Sequence, residues 1–200
     1  MREGKIITLK RKEFFFETLT ELRELATKYM SFMPGVTEIL FYYVLLVVVK
    51  PFLVEEKIYT NFMLAIIAPS GHLKTSLARI FALWLEQEEL QEIMFADIAR
   101  QSELCGRIKE LQGLNLIVDD MHAMVNNYRK NKQVDLLDYL SRHCDSRYNL
   151  TNILITGEKM PENAIFSSLD RMFPVYISKT VSDRLKALKL NIRELSESFM

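Results

Sequence analysis

Lys74 and Thr75 stand side by side in the stretch AIIAPSGHLKTSLARIF, residues 65–81. A lysine followed by a hydroxyl residue, after an apolar run and before a helical pattern, has the chemistry of phosphate binding. The ammonium group neutralises the β- and γ-phosphates of a nucleotide, and the hydroxyl ligates Mg2+. Backbone N–H groups at the helix N-terminus surround the phosphate oxygens. The loop reads Ala68, Pro69, Ser70, Gly71, His72, Leu73, Lys74 and Thr75, with Ser76 following. Two glycines of the usual GxxxxGK[ST] pattern are replaced, by Ala68 and Leu73, while Gly71 keeps a permissive residue in mid-loop. If the backbone is left-handed at Leu73, the side chain costs about 1–2 kcal/mol, which a folded domain can bear.

A second stretch, LNLIVDDMH, brings Asp119 and Asp120 to the end of an expected strand. In open parallel sheets, ligands sit at the carboxyl ends of strands. There Asp119 holds the Mg2+ shell, and Asp120 stands where a carboxylate polarises water. An aspartate reaches less far than the glutamate usual in hydrolytic sites of this class. A third stretch, ILITGE, places Thr156 at another strand end, able to hydrogen-bond the γ-phosphate or the attacking water. Gly157 permits a sharp exit there. Glu158 has two readings, a water-orienting carboxylate or a turn residue. A fourth, SSLDRMFPVYI, sets Arg171 before a strand, where a guanidinium reaches a neighbouring subunit's nucleotide or pairs locally with Asp170 or Glu162.

These groups need a scaffold that brings strand ends together. From Asn61 onward, strand-like and helix-like segments alternate. Strands are expected at FMLAII, EIMFA, LNLIVDD, NLTNILITGE and FPVYIS. Helices are expected at KTSLARIFALWLEQ, IARQSELCGRIKELQG, VDLLDYLSRHC, ENAIFSSLDRM and SDRLKALKLNIRELSES. This predicts an α/β fold, a largely parallel sheet with helices on both faces. Residues 1–60 read as a helical N-terminal segment and residues 61–200 as the phosphate-loop core. In the former, Phe15, Leu19, Leu22, Ala26 and Tyr29 have helical spacing. A second helix is expected at about Val36 to Val54. Its apolar run, Ile39 to Val49, is shorter than the roughly 20 residues of a membrane span and is broken by Lys50 and Pro51.

Composition excludes several classes. Of 200 residues, 49% are hydrophobic and 26% charged, which suits a globular core and not disorder. The net charge is zero, so any contact with DNA needs a local basic patch. Residues 126–132, NNYRKNK, offer one, read either as a loop contacting single-stranded or duplex DNA through Tyr128, Arg129, Lys130 and Lys132, or as a solvated loop. Arg142 and Arg147 read as surface or ion-pair residues. Cys105 and Cys144 form neither a disulfide framework nor a zinc pattern, and a reduced, cytoplasmic setting is expected. His72 and His122 have no metal-ligand company.

Together, APSGHLKTSLAR, LIVDDMH, LSRHCDSR, LITGEKMP and SSLDRMFPV resemble an additional-strand P-loop ATPase of the AAA+ and RecA-like type. More narrowly, roughly residues 36–178 resemble the ATPase domains of phage- and mobile-element primase-helicase proteins. In that group the residue before the lysine is often not glycine. The resemblance implies ATP and Mg2+ as ligands, self-association into a ring, and action on DNA during replication. The alternative function is a nucleotide-binding interaction module with little hydrolysis, which Leu73 and Asp120 motivate. A small-molecule kinase ranks last, because no arginine-bearing lid is visible.

Overall fold

A computed structural model describes residues 33–60, 62–85, 91–98, 101–111, 113–121, 127–144, 150–160 and 166–178, with residues 27, 30 and 31. The expected helices at residues 13–30 and 182–198 fall largely or wholly outside them, as do His122, Arg147 and Glu162.

The described chain alternates as expected. Helix α1 (Thr37–Glu55) precedes strand β1 (Met63–Ile67), helix α2 (Lys74–Leu85) and strand β2 (Glu92–Met94). A single 3-10 turn at Phe95–Asp97 ends the expected EIMFA strand early. Helix α3 (Gln101–Glu110), strand β3 (Asn115–Met121), helix α4 (Asn127–Cys144) and strand β4 (Asn152–Gly157) follow. A short α5 (Phe166–Leu169) leads to strand β5 (Met172–Tyr176). All pairings are parallel, in the order β2-β3-β4-β1-β5. β4 therefore lies between the strand that feeds the phosphate loop and the strand that carries the aspartates.

Parallel strands covered on both faces read as unbroken apolar runs, and all five residues of β1 are buried. Their alternation splits the core in two. Leu64 and Ile66 face α1 and α2, meeting Leu40, Val44, Leu77 and Phe81. Met63, Ala65 and Ile67 face α3 and α4, meeting Leu104, Ile108, Leu137 and Leu140. The expected two-faced architecture is present.

One expectation about the helices is met and another needs correction. The helix expected at about Val36 to Val54 runs from Thr37 to Glu55, with Lys50 and Pro51 inside it. Lys50 is 3% exposed, and its Nζ donates to Thr151 O at 3.0 Å, so the charge is held against β4. α1 then stops at Lys57, whose φ of 60° is the left-handed terminator, with Ile58 N–H donating to Leu53 O. By length and hydropathy α1 could cross a membrane, but Leu40, Tyr43, Val44 and Val47 are buried against the domain. The correction concerns the basic stretch at residues 126–132, of which residues 127–132 are not a loop but the first turns of α4. No glycine or proline interrupts residues 127–132, and their arginine and two lysines favour helix.

Tyr43 fastens α1 to the sheet. Its hydroxyl accepts from Ile153 N–H at 3.1 Å and lies within donating distance of Ile153 O and Phe62 O. These backbone groups flank the point where the β1–β4 ladder begins, so the phenol takes the place of a missing ladder partner. Asn152 Nδ2 adds a bond to Tyr43 O at 2.6 Å. Removing the hydroxyl leaves Ile153 N–H buried and unpaired. Tyr43→Phe is expected to lower unfolding stability by about 1–3 kcal/mol in urea titrations, with little change in the slope.

Candidate functional site

β1 ends at Ile67, and the chain turns through residues 68–73 before α2 begins at Lys74. Leu73 is the hinge of that turn. Its carbonyl accepts the first bond of α2 from Leu77 N–H at 2.9 Å, and its φ is 62°. The loop thus adopts the left-handed step for which glycine is usual, with a leucine in its place. The leucine is half-buried against the core on the α1 and α2 side, which offsets part of the strain. Gly71 supplies a second positive φ, 77°, with open space around its Cα. His72 Nδ1 donates to Ser70 O at 3.0 Å, so its ring braces the loop.

Lys74 is largely buried, and its Nζ donates to Pro69 O at 3.2 Å across the loop. Thr75 Oγ1 donates to Asp119 Oδ1 at 2.7 Å, joining α2 to β3. Thr156 Oγ1, from β4, donates to the same carboxylate oxygen. The Thr156 hydroxyl also accepts from Asp120 N–H at 3.2 Å. Three segments far apart in sequence therefore meet at one oxygen atom. The cleft around them measures about 380 Å3 and is lined by Gly71, Lys74, Thr75, Asp119, Asp120 and Thr156, among others.

Both aspartates line this cleft, which a regular strand would forbid, because successive side chains point to opposite faces. The β3–β4 register slips between Val118 and Met121, and Asp120 has a φ of 63°. The irregularity turns the two carboxylates to the same side. Such strain at a strand end is a mark of functional sites. Gly157 serves the same region, though not through the conformational freedom the sequence suggested. A Cβ there would run into Met121 O and crowd the Met121 side chain. The glycine is needed so that β4 can pass close to the displaced end of β3.

Glu158 also borders the cleft, and its N–H donates to Met121 O at 3.0 Å. Arg171 lies elsewhere. It precedes β5 at the opposite, N-terminal edge of the sheet, where its carbonyl accepts from Met63 N–H at 2.8 Å. Its Nη1 donates to Ser167 O at 2.7 Å. Ala68 and Pro69 form the near shoulder of the loop, and Ser70, Leu73 and Ser76 line the cleft beside Thr75.

One contact near the site has no sequence signal. Arg79, one turn beyond Thr75 on α2, pairs through two nitrogens with Glu92 of β2, at 2.7 and 2.6 Å. The Glu92 carboxylate raises the guanidinium above its ordinary range by hydrogen bonding and charge, with Asp119 adding to the effect and desolvation opposing it. Nothing in a linear reading joins residues 79 and 92. Arg142, by contrast, pairs with Asp138 one turn earlier at 2.7 Å, as its surface reading expected.

The donor set suits a hard divalent cation. Thr75 Oγ1 and Asp119 Oδ1 offer adjacent oxygens. No cluster of three or more His, Cys, Asp or Glu side chains exists among the described residues. Mg2+ is held in this manner, by one or two protein oxygens with substrate phosphates and water completing its shell.

No protein-family model matches the chain, and no curated protein matches it. Solved structures do. The chain is similar to the active helicase Cch of SCCmec type IV, with a TM-score of 0.57 at 14% identity, covering 85% of this chain and 34% of that one. It is also similar to the JCV helicase, with a TM-score of 0.52 at 11% identity, covering 90% of this chain and 52% of that one. The chain thus spans about a third and a half of those structures. At such identity the likeness establishes the fold alone, a parallel sheet with helices on both faces that this chain has in common with those two helicase structures.

Two substitutions separate strain from crowding. Leu73→Gly is expected to change unfolding stability by no more than about 1 kcal/mol, since relief of backbone strain offsets lost apolar contact. Gly157→Ala is expected to cost about 1–3 kcal/mol, because main chain must move to admit the methyl group. Chemical denaturation of the two variants beside wild type measures both.

Proposed function

We propose that this chain is the nucleotide-handling core of a Mg2+-dependent ATPase of the AAA+ and RecA-like class, coupled to DNA replication or unwinding. One observation carries the reading. Thr75, Asp119 and Thr156, from three separate segments, meet at one carboxylate beside the Lys74 loop. A turn with a chance Lys-Thr pair has no reason to sit against an aspartate and a threonine from two further strand ends.

The residues divide the work. Backbone N–H groups of the loop and the start of α2 receive phosphate oxygens, and Lys74 neutralises their charge. Thr75 and Asp119 would hold Mg2+, which spreads the charge of the transferred phosphoryl group. Asp120 orients and polarises the attacking water. Thr156 stands between the two aspartates, where its hydroxyl senses the γ-phosphate. Arg171 is too far around the sheet to serve its own cleft, so we assign it to the cleft of a neighbouring copy. Phe166 and Phe173, both exposed near the same edge, suit such self-association. DNA contact is assigned to the basic first turns of α4, residues 127–132. The cytoplasm is the proposed setting, with residues 61–200 as the ATPase core and residues 1–60 as its supporting segment.

A second reading is favoured by specific geometry. Leu73 strains the loop, Asp120 replaces a longer carboxylate, and the Thr156 hydroxyl is bonded to Asp119. A module that binds nucleotide without turnover would tolerate all three.

Phosphate release from Mg-ATP, with and without single-stranded DNA, separates these readings. The motor reading expects turnover that rises with DNA and falls at least a hundredfold in Lys74→Ala and in Asp119→Asn, the loss typical of removing a transition-state charge partner. ATP binding without release in wild type establishes the module. An unchanged rate in Lys74→Ala rules out the phosphate-loop assignment.

A further inference from the structure

A second cavity opens beside the first. It measures about 340 Å3 and lies over the ends of β1, β4 and β5. Its walls are mainly carbon, from Ile67, Ala68, Pro69, Met160, Tyr176 and Ile177. Ile67, Ala68 and Ile177 are buried, whereas Tyr176 is 63% exposed, so the ring has a face free of packing. Glu158 borders both cavities. A ligand with a charged end in the first would pass Glu158 to place a flat apolar end in the second.

Part of the main chain of this wall is already committed. Ala68 N–H donates to Gly157 O at 3.0 Å, Ile177 N–H donates to Ile67 O at 3.0 Å, and Pro69 has no N–H. These groups have no hydrogen left for a base edge. Lys159 and Ser178 also border the cavity, but its larger offer is an aromatic face and aliphatic contact, which every nucleobase can use.

We propose that this cavity is the nucleobase subsite, that Tyr176 stacks on the base, and that adenine and guanine are held with little discrimination. The inference rests on the phosphate-loop reading above and extends it to the identity of the nucleotide. A site that reads a base by hydrogen bonds can reject the wrong one by four orders of magnitude or so, whereas stacking separates purines weakly. The ribose passes Glu158, whose carboxylate accepts from its hydroxyls.

The test is equilibrium binding of ATP, GTP and inorganic tripolyphosphate, each with Mg2+, to wild type, Tyr176→Ala, Tyr176→Phe and Lys74→Ala. ATP and GTP affinities are expected to agree within about tenfold. Tyr176→Ala should loosen both by between about fivefold and a hundredfold, the range of one lost stacking contact. Tyr176→Phe should match wild type, and tripolyphosphate should bind wild type and both Tyr176 variants alike. If Tyr176→Ala binds both nucleotides as wild type does while Lys74→Ala loses them, the subsite is wrong and the phosphate loop stands. A preference above about a hundredfold for one purine overturns recognition by stacking. Failure of wild type to bind either nucleotide or tripolyphosphate overturns the subsite together with the function it rests on.

Discussion

The carboxylate of Asp119 is the point on which the site depends. One oxygen accepts from Thr75 at the start of α2 and from Thr156 at the end of β4, while Asp119 itself belongs to β3. The group is 7% exposed, so it has given up most of its water and relies on these two donors. Hydrogen bonds to a buried charge are stronger than neutral ones, and losing one leaves the charge partly unpaid for. The same atoms that fix the loop against the sheet are those that suit a Mg2+ shell. Structural and chemical demands thus fall on one side chain.

That junction is built from backbone that ordinary strands and helices do not use. Leu73 and Asp120 hold positive φ without being glycine, and both line the cleft. Each costs on the order of 1–2 kcal/mol. The surrounding sheet, buried on both faces, is what over-determines these conformations. Gly157 completes the arrangement by admitting Met121 O where a methyl group could not fit.

The opposite edge of the sheet is held by a different chemistry. There α1 contributes Tyr43 and Lys50, which bond to backbone of β4 and its approach, and Asn152 bonds back to α1. Thr151 ties the same approach to the end of α3 through Ile108 O and Leu111 O. A polar layer of this kind fixes register, since each bond is met at one alignment only. It anchors the N-terminal end of β4, and the C-terminal end of the same strand presents Thr156. The apolar helix α1 is, in the folded chain, the clamp on the central strand.

Much of this was legible in the linear chain because the signals are local. Alternating apolar runs and helical periods announce a parallel α/β sheet, since burial on both faces demands apolar strands of the observed kind. Lys74-Thr75, Asp119-Asp120 and Thr156 each declare themselves by residue type at the end of a strand. The burial of Lys50 and the helical state of residues 127–132 were not legible, for the same local reason. A buried lysine needs a carbonyl from another strand, and a basic run is not by itself a loop. What only the tertiary structure decided is non-local. The placement of β4 between β1 and β3, the shared oxygen of Asp119, the Arg79–Glu92 pair and the turning of both aspartates into one cleft all join segments with no common pattern. Sequence determines which side chains can do chemistry, because that lies in their covalent structure. Which of them act together is set by packing, because a hydrogen bond acts only over about 3 Å.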